Sequence, residues 1–160
     1  MKYLFVLLLC PMLASCGAGG PKFTNSQPPA GKGRVVVYRV PSTPGGRAAN
    51  VILDGSLAGR MKMKGYLPLD VKPGWHVVRI TFDESSTFGD VTPASQQVHV
   101  REGGKAFLRY STQAEYGTGP GMMIGTVMMP DYTMHGILSH RSETEALREV
   151  SRYRMGVPSL

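Results

Sequence analysis

From Gly33 onward the chain alternates short apolar runs with strong turn signals. Val35 to Val40 (VVVYRV) is a continuous, largely β-branched run, the pattern of a central strand buried on both faces. Val51 to Leu53 leads into Asp54-Gly55, a pair that tolerates positive φ and so suits a two-residue hairpin turn. The return strand is Leu57 to Met63. Tyr66 to Val71 then alternates, with Leu67, Leu69 and Val71 on one face, and Pro68 argues for an edge position. Pro73-Gly74 turns the chain into Trp75 to Phe82, where His76, Val78, Ile80 and Phe82 share a face. Further on, Val98 and Val100 point inward while Gln97, His99 and Arg101 point outward. Glu102-Gly103-Gly104 marks another hairpin, returning through Lys105 to Thr112. About seven short strands at this spacing, with no helical period before residue 140, predict a mainly β fold. Its expected form is a single β-sandwich over residues 33–112.

The flanking segments carry other patterns. Residues 113–141 are rich in glycine and methionine. Ser142 and Glu145 form an S-x-x-E capping box, and Ala146, Leu147, Val150 and Tyr153 fall on one stripe. They predict a C-terminal α-helix over about Glu143 to Arg154, within a terminal segment 142–160. Residues 16–32 have no apolar period and predict a flexible tether, whose coil spans roughly 20 to 25 Å. Ahead of it, Lys2 precedes an apolar run (Tyr3 to Leu9), and the segment closes on Leu13-Ala14-Ser15-Cys16.

This order resembles a bacterial lipoprotein signal, residues 1–15. Small residues before a cysteine suit the peptidase that cuts such signals, and the cysteine thiol takes the lipid. Cys10 does not fit, because Leu7, Leu8 and Leu9 precede it. A plain secretory signal cut near Ala18 is the other reading, while the stretch is shorter than the ~20 residues of a spanning helix. The resemblance implies lipidation at Cys16, which leaves the mature chain without a free thiol. Gly17 stands where inner-membrane lipoproteins often carry aspartate, so the implied location is the periplasmic face of the outer membrane.

Three features within the sandwich carry a second resemblance. They are Val37-Tyr38-Arg39, Val51-x-Leu53-Asp54-Gly55 and Pro73-Gly74-Trp75-His76. Together they resemble the bacterial lipoproteins grouped as domain of unknown function 2846. Those look like PEGA-type and carboxypeptidase-regulatory-type β-sandwiches. The resemblance covers about Arg34 to Thr112 and implies fold and location, without bringing any catalytic residue.

Composition narrows the chemistry. The chain has 160 residues, 18% of them charged, and a formal charge of +7, with basic residues scattered from Lys22 to Arg154. For an envelope protein the expected acidic neighbours are lipid headgroups or cell-wall polymers, with no nucleic acid. Arg60, Lys62 and Lys64 alternate with Met61 and Met63, forming a basic stripe if the strand continues. Such a stripe suits lipid phosphates or an acidic polymer, or guards an edge strand against aggregation. Gly31-Lys32 and Gly104-Lys105 lack the following Ser or Thr of a P-loop, and no G-x-S-x-G elbow occurs. No catalytic residue is therefore expected, and no cofactor beyond the lipid on Cys16. His76 reads as a structural corner, a ring nitrogen bonded to a nearby backbone carbonyl.

Met122, Met123, Met128, Met129 and Met134, with His135, are donors suited to Cu(I). The same methionines equally pack irregular segments or form adaptable binding surfaces. The expectation is a non-catalytic, lipid-anchored interaction or structural module of the envelope. Its partners would be the membrane, through the anchor, and another envelope protein or a cell-wall polymer. Soft-metal (copper) binding through the methionine-rich segment is the alternative.

Overall fold

The computed structural model describes residues 19–42, 47–83, 91–119, 121–124, 126–129 and 131–159, so the signal segment 1–15 and Cys16 lie outside it. In chain order the strands are β1 (Gly33–Arg39), β2 (Ala49–Leu53), β3 (Ser56–Met61), β4 (Gly65–Val71), β5 (Gly74–Thr81) and β6 (Val91–Thr92). They continue with β7 (Ala94–Val100), β8 (Lys105–Tyr116), β9 (Met122–Ile124), β10 (Val127–Met129) and β11 (Tyr132–Arg141). Helix α1 (Glu143–Val150) follows, then β12 (Arg154–Met155) and β13 (Val157–Pro158). Among the described residues no helix is long and apolar enough to cross a membrane.

The protein is mainly β, with two sheets and a C-terminal helix. A six-stranded sheet, in the order β12-β4-β1-β8-β11-β6, faces a five-stranded sheet, β13-β3-β2-β5-β7. Between them lies the main core, with Val35, Val37, Val51, Val78, Ile80 and Leu108 among its members. A second core lies on the other side of the six-stranded sheet. There Val36, Tyr38, Tyr66 and Phe107 pack against Ala146, Val150 and Tyr153, with Phe23 alongside. The unbroken β1 run follows from this layering: alternate residues feed different cores, so both faces must be apolar. β1 also sits inside its sheet, antiparallel to β4 and parallel to β8.

Local turn chemistry follows the expected residues at Asp54-Gly55, but Glu102-Gly103-Gly104 closes no hairpin: that turn carries the chain from β7 in one sheet to β8 in the other, a crossing that the same turn residues serve equally well. Asp54 (φ 49°) and Gly55 (φ 85°) are both left-handed and close the β2–β3 hairpin. β12 pairs with β4 only at Gly65 and Tyr66, which leaves Pro68 on an open stretch of edge.

Four further expectations need correction. Residues 20–32 are not a free tether: Phe23 N–H donates to the Tyr153 carbonyl (3.0 Å), Met155 N–H to Pro21 (2.8 Å) and Gly103 N–H to Lys32 (2.8 Å). Backbone bonding of this kind needs no apolar period, so periodicity could not reveal it. The sheets also extend past residue 112, since β8 runs to Tyr116 and pairs along its length with β11. The helix stops at Val150 with Ser151 as its C-cap, short of Arg154. Finally, β3 ends at Met61, and Lys62 to Gly65 form a turn (Gly65 N–H to the Lys62 carbonyl, 3.1 Å). Arg60, Lys62 and Lys64 therefore do not share one strand face.

Candidate functional site

The strands β8 and β11 outrun their neighbours. β1 accompanies β8 only as far as Tyr110, and β6 meets β11 only at Met134 and His135. The two pair as a ribbon, Ser111 to Tyr116 against Tyr132 to Ile137, which β6 flanks at Met134 and His135; toward the tip, Glu115 and Tyr116 pair with Thr133 and Tyr132. The Gly117 N–H to Asp131 carbonyl bond (2.8 Å) extends it, and the β9–β10 hairpin lies in the connection between the two strands. Two strands alone are marginal in water, so the ribbon depends on its rooting in the six-stranded sheet. Its outer part is apolar and solvated: Tyr116 is 70% exposed, Met123 61% and Met128 66%. Met123 lies opposite Met128 across the hairpin, and Met122 opposite Met129. Thioether side chains are flexible and polarizable, which lets such a surface mould itself to an apolar partner.

The candidate metal ligands fall on two parts of the chain, the β9–β10 hairpin and β11. Met134 is buried within the sheet, and His135 Nε2 sits 3.0 Å from the Glu115 carboxylate. The hairpin register sets position 123 opposite 128 and position 122 opposite 129. Among the described residues no three His, Cys, Asp or Glu side chains gather as a metal site would require.

A second feature lies at the β4–β3 edge, where three distant parts of the chain meet. Arg154 N–H donates to the Lys64 carbonyl (3.1 Å), and Lys22 bridges Arg154 in antiparallel fashion. Arg154 Nη1 also donates to the Gly20 carbonyl (3.3 Å). Lys22, Lys62, Lys64 and Arg154 are all exposed, and none forms an ion pair among the described residues. Arg60 differs, its guanidinium lying 3.5 Å from the Asp83 carboxylate. Lys64 occupies the left-handed region (φ 53°), a conformation a non-glycine residue rarely adopts. Backbone pairing thus brings Lys22 and Arg154 to the turn that carries Lys62 and Lys64, a basic edge made from three chain segments. No local pattern in the sequence points to Lys22 and Arg154, because the edge is made by tertiary pairing.

The outer face of the five-stranded sheet carries Trp75, 71% exposed and tilted against His99 at 5.1 Å between ring centroids. Its neighbour His76 is the corner expected of it. Nε2 lies 2.8 Å from the Lys72 carbonyl and Nδ1 2.7 Å from Asp54, tying β5 to the β2–β3 turn. Between the sheets, Arg39 is fully buried, donating to the Arg47 carbonyl (2.6 Å) with its guanidinium 5.1 Å from the centre of the Phe82 ring. Burial lowers its pKa. Tyr110 is itself pushed up to about 12 by burial, so its phenol stays neutral beside the cation. The hydrophobic run around Arg39 hides this burial from a pattern-based reading.

Comparison with family models, with curated proteins and with solved structures returned no match.

Proposed function

We propose that this chain is a non-catalytic, lipid-anchored protein of the bacterial envelope that acts as an interaction module. In this reading Cys16 carries the lipid, the outer membrane is the site of attachment, and the β8–β11 ribbon is the partner-binding element. The observation that carries the proposal is the exposure of Tyr116 at the end of β8 and of Met123 and Met128 in the hairpin that connects β8 to β11, none of them a member of either core. Exposed apolar side chains concentrated in one segment are a usual mark of an interaction surface. The occupant proposed is an apolar surface on another envelope protein.

Crosslinking and affinity purification of the lipidated protein from its native envelope tests this, beside Cys16→Ala and a Met123→Ser/Met128→Ser variant. The expected result is one envelope protein recovered in stoichiometric amount and lost with the two methionines. Those side chains are solvated, so their replacement leaves the cores intact. A partner retained by the methionine variant would overturn the ribbon assignment. Absence of an acyl mass on Cys16 would overturn the anchoring. Cu(I) binding tighter than micromolar, abolished by the same two substitutions, would replace the interaction reading with the metal one.

A further inference from the structure

We infer that the edge formed by Lys22, Lys62, Lys64 and Arg154 is a membrane-facing surface that rests on anionic phospholipid headgroups. The inference rests on the lipid anchor proposed above and adds an orientation to it. Residues 20–32 bond to the body of the protein, so few residues lie between it and Cys16. Gly20 N–H donates to the Met155 carbonyl (3.2 Å) and fixes the chain there. Three residues lie between that point and the anchor, and the four steps, at ~3.3–3.6 Å each, reach at most about 14 Å. A domain held so closely presents to the bilayer the side on which its chain enters. That side is this edge.

The chemistry of the edge suits phosphate-bearing headgroups. Four exposed cations come together from three chain segments, with no carboxylate paired to any of them among the described residues. Val157, 72% exposed on the adjoining β13, adds an apolar contact at the same place. Cations flanking a small apolar contact are the pattern of peripheral association with anionic lipid. The backbone at Lys64 adds weight. Glycine would adopt its φ of 53° without strain, yet the chain carries a cation there.

The orientation makes the two surfaces complementary. The β4–β3 edge closes one side of both sheets, whereas the ribbon belongs to β8 and β11, on the far side of β1 in the six-stranded sheet. An edge seated on the bilayer leaves the ribbon directed toward a partner.

The test uses the mature-length chain with Cys16→Ala, so that no acyl chain contributes, in sedimentation with vesicles. Binding to vesicles containing phosphatidylglycerol should exceed binding to pure phosphatidylcholine by tenfold or more, since each basic residue near such a surface contributes about fivefold. A Lys22→Gln/Lys62→Gln/Lys64→Gly variant should lose most of that difference, and Lys64→Gly relieves rather than adds backbone strain. A control set, Lys72→Gln/Arg79→Gln/Arg101→Gln, removes equal charge beside β5 and β7 and should lose far less. Equal loss from both sets would overturn the inference, leaving only net charge. Binding of soluble polyglutamate without preference for vesicles would overturn it in favour of an acidic polymer. The acyl mass on Cys16 is measured separately, so failure of the anchor and failure of the edge are distinguishable.

Discussion

At the scale of single residues, His76 has the most definite chemistry. Both ring nitrogens face acceptors, the Asp54 carboxylate at 2.7 Å and the Lys72 carbonyl at 2.8 Å. A neutral imidazole has one N–H, so this pair of contacts suits the imidazolium. Burial disfavours that charge, but the bonds to Asp54 and Lys72 and the carboxylate's own charge prevail, and the pKa lies above 6.5. For Asp54 burial is again the opposing effect; the His76 and Val77 bonds outweigh it and hold its pKa below 3.8. The contribution to stability is therefore complete between about pH 4 and 6.5. It is lost as pH rises through the folded-state pKa of His76, and as pH falls through that of Asp54. Because the Asp54 side chain is 48% exposed, solvent screening limits the pair to about 0.5–1 kcal/mol. Urea midpoints should accordingly fall between pH 6 and pH 9 in the wild type, and that component of the fall should vanish in His76→Gln. Parallel profiles for the two proteins would show that the ring is not charged in the fold.

At the scale of elements, α1 shows how a short helix is held. Eight residues are too few to be stable alone in water, so the helix depends on its cap and on Ala146 and Val150 at the second core. The Ser142 hydroxyl accepts from Glu145 N–H (3.4 Å), while the Glu145 carboxylate accepts from Ser142 N–H (3.2 Å). Ser142→Ala should cost about 1 kcal/mol in urea unfolding and Ser142→Thr much less; equal losses would remove the cap from the account. This helix start was legible because capping is written in residues three apart. The strands of residues 33–112 were legible for a similar reason, since each has its own alternation or turn pair. β11 was not. Its inward positions include Gly136, which has no side chain to mark the period. A Cβ there would lie 2.6 Å from the Thr92 carbonyl oxygen and 3.1 Å from the Tyr110 hydroxyl. The residue that lets β11 pack so closely is the one that breaks its pattern. β12 and β13, two residues each, are too short to have a period at all. The basic edge escaped for the same reason, because half of it depends on that C-terminal pairing.

At the scale of the whole molecule, the last residues act as a staple across the two sheets. β12 joins β4 in the six-stranded sheet, β13 joins β3 in the five-stranded sheet, and Gly156 lies between them. Its N–H donates to the Tyr66 carbonyl (2.8 Å), and a Cβ would collide with the Arg60 carbonyl oxygen. That obstacle is backbone, so no side-chain rotation relieves it, and β13 would have to leave β3. Gly156→Ala should then cost about 1–3 kcal/mol, as other overpacked sites do. Gly19→Ala, with nothing within 4 Å, should be neutral. The staple also holds the N-terminal segment, since Gly20 and Pro21 bond to Met155 and Phe23 bonds to Tyr153. Loosening it should expose residues 20–32 as well, seen as faster amide exchange at Gly20 and Phe23 while β1 stays protected. Such coupling would make the C-terminus set the length of free chain between anchor and domain. Faster exchange at β13 with unchanged protection at Gly20 and Phe23 would instead show that the N-terminal segment is held independently. The distance of the domain from the membrane would then not depend on the staple.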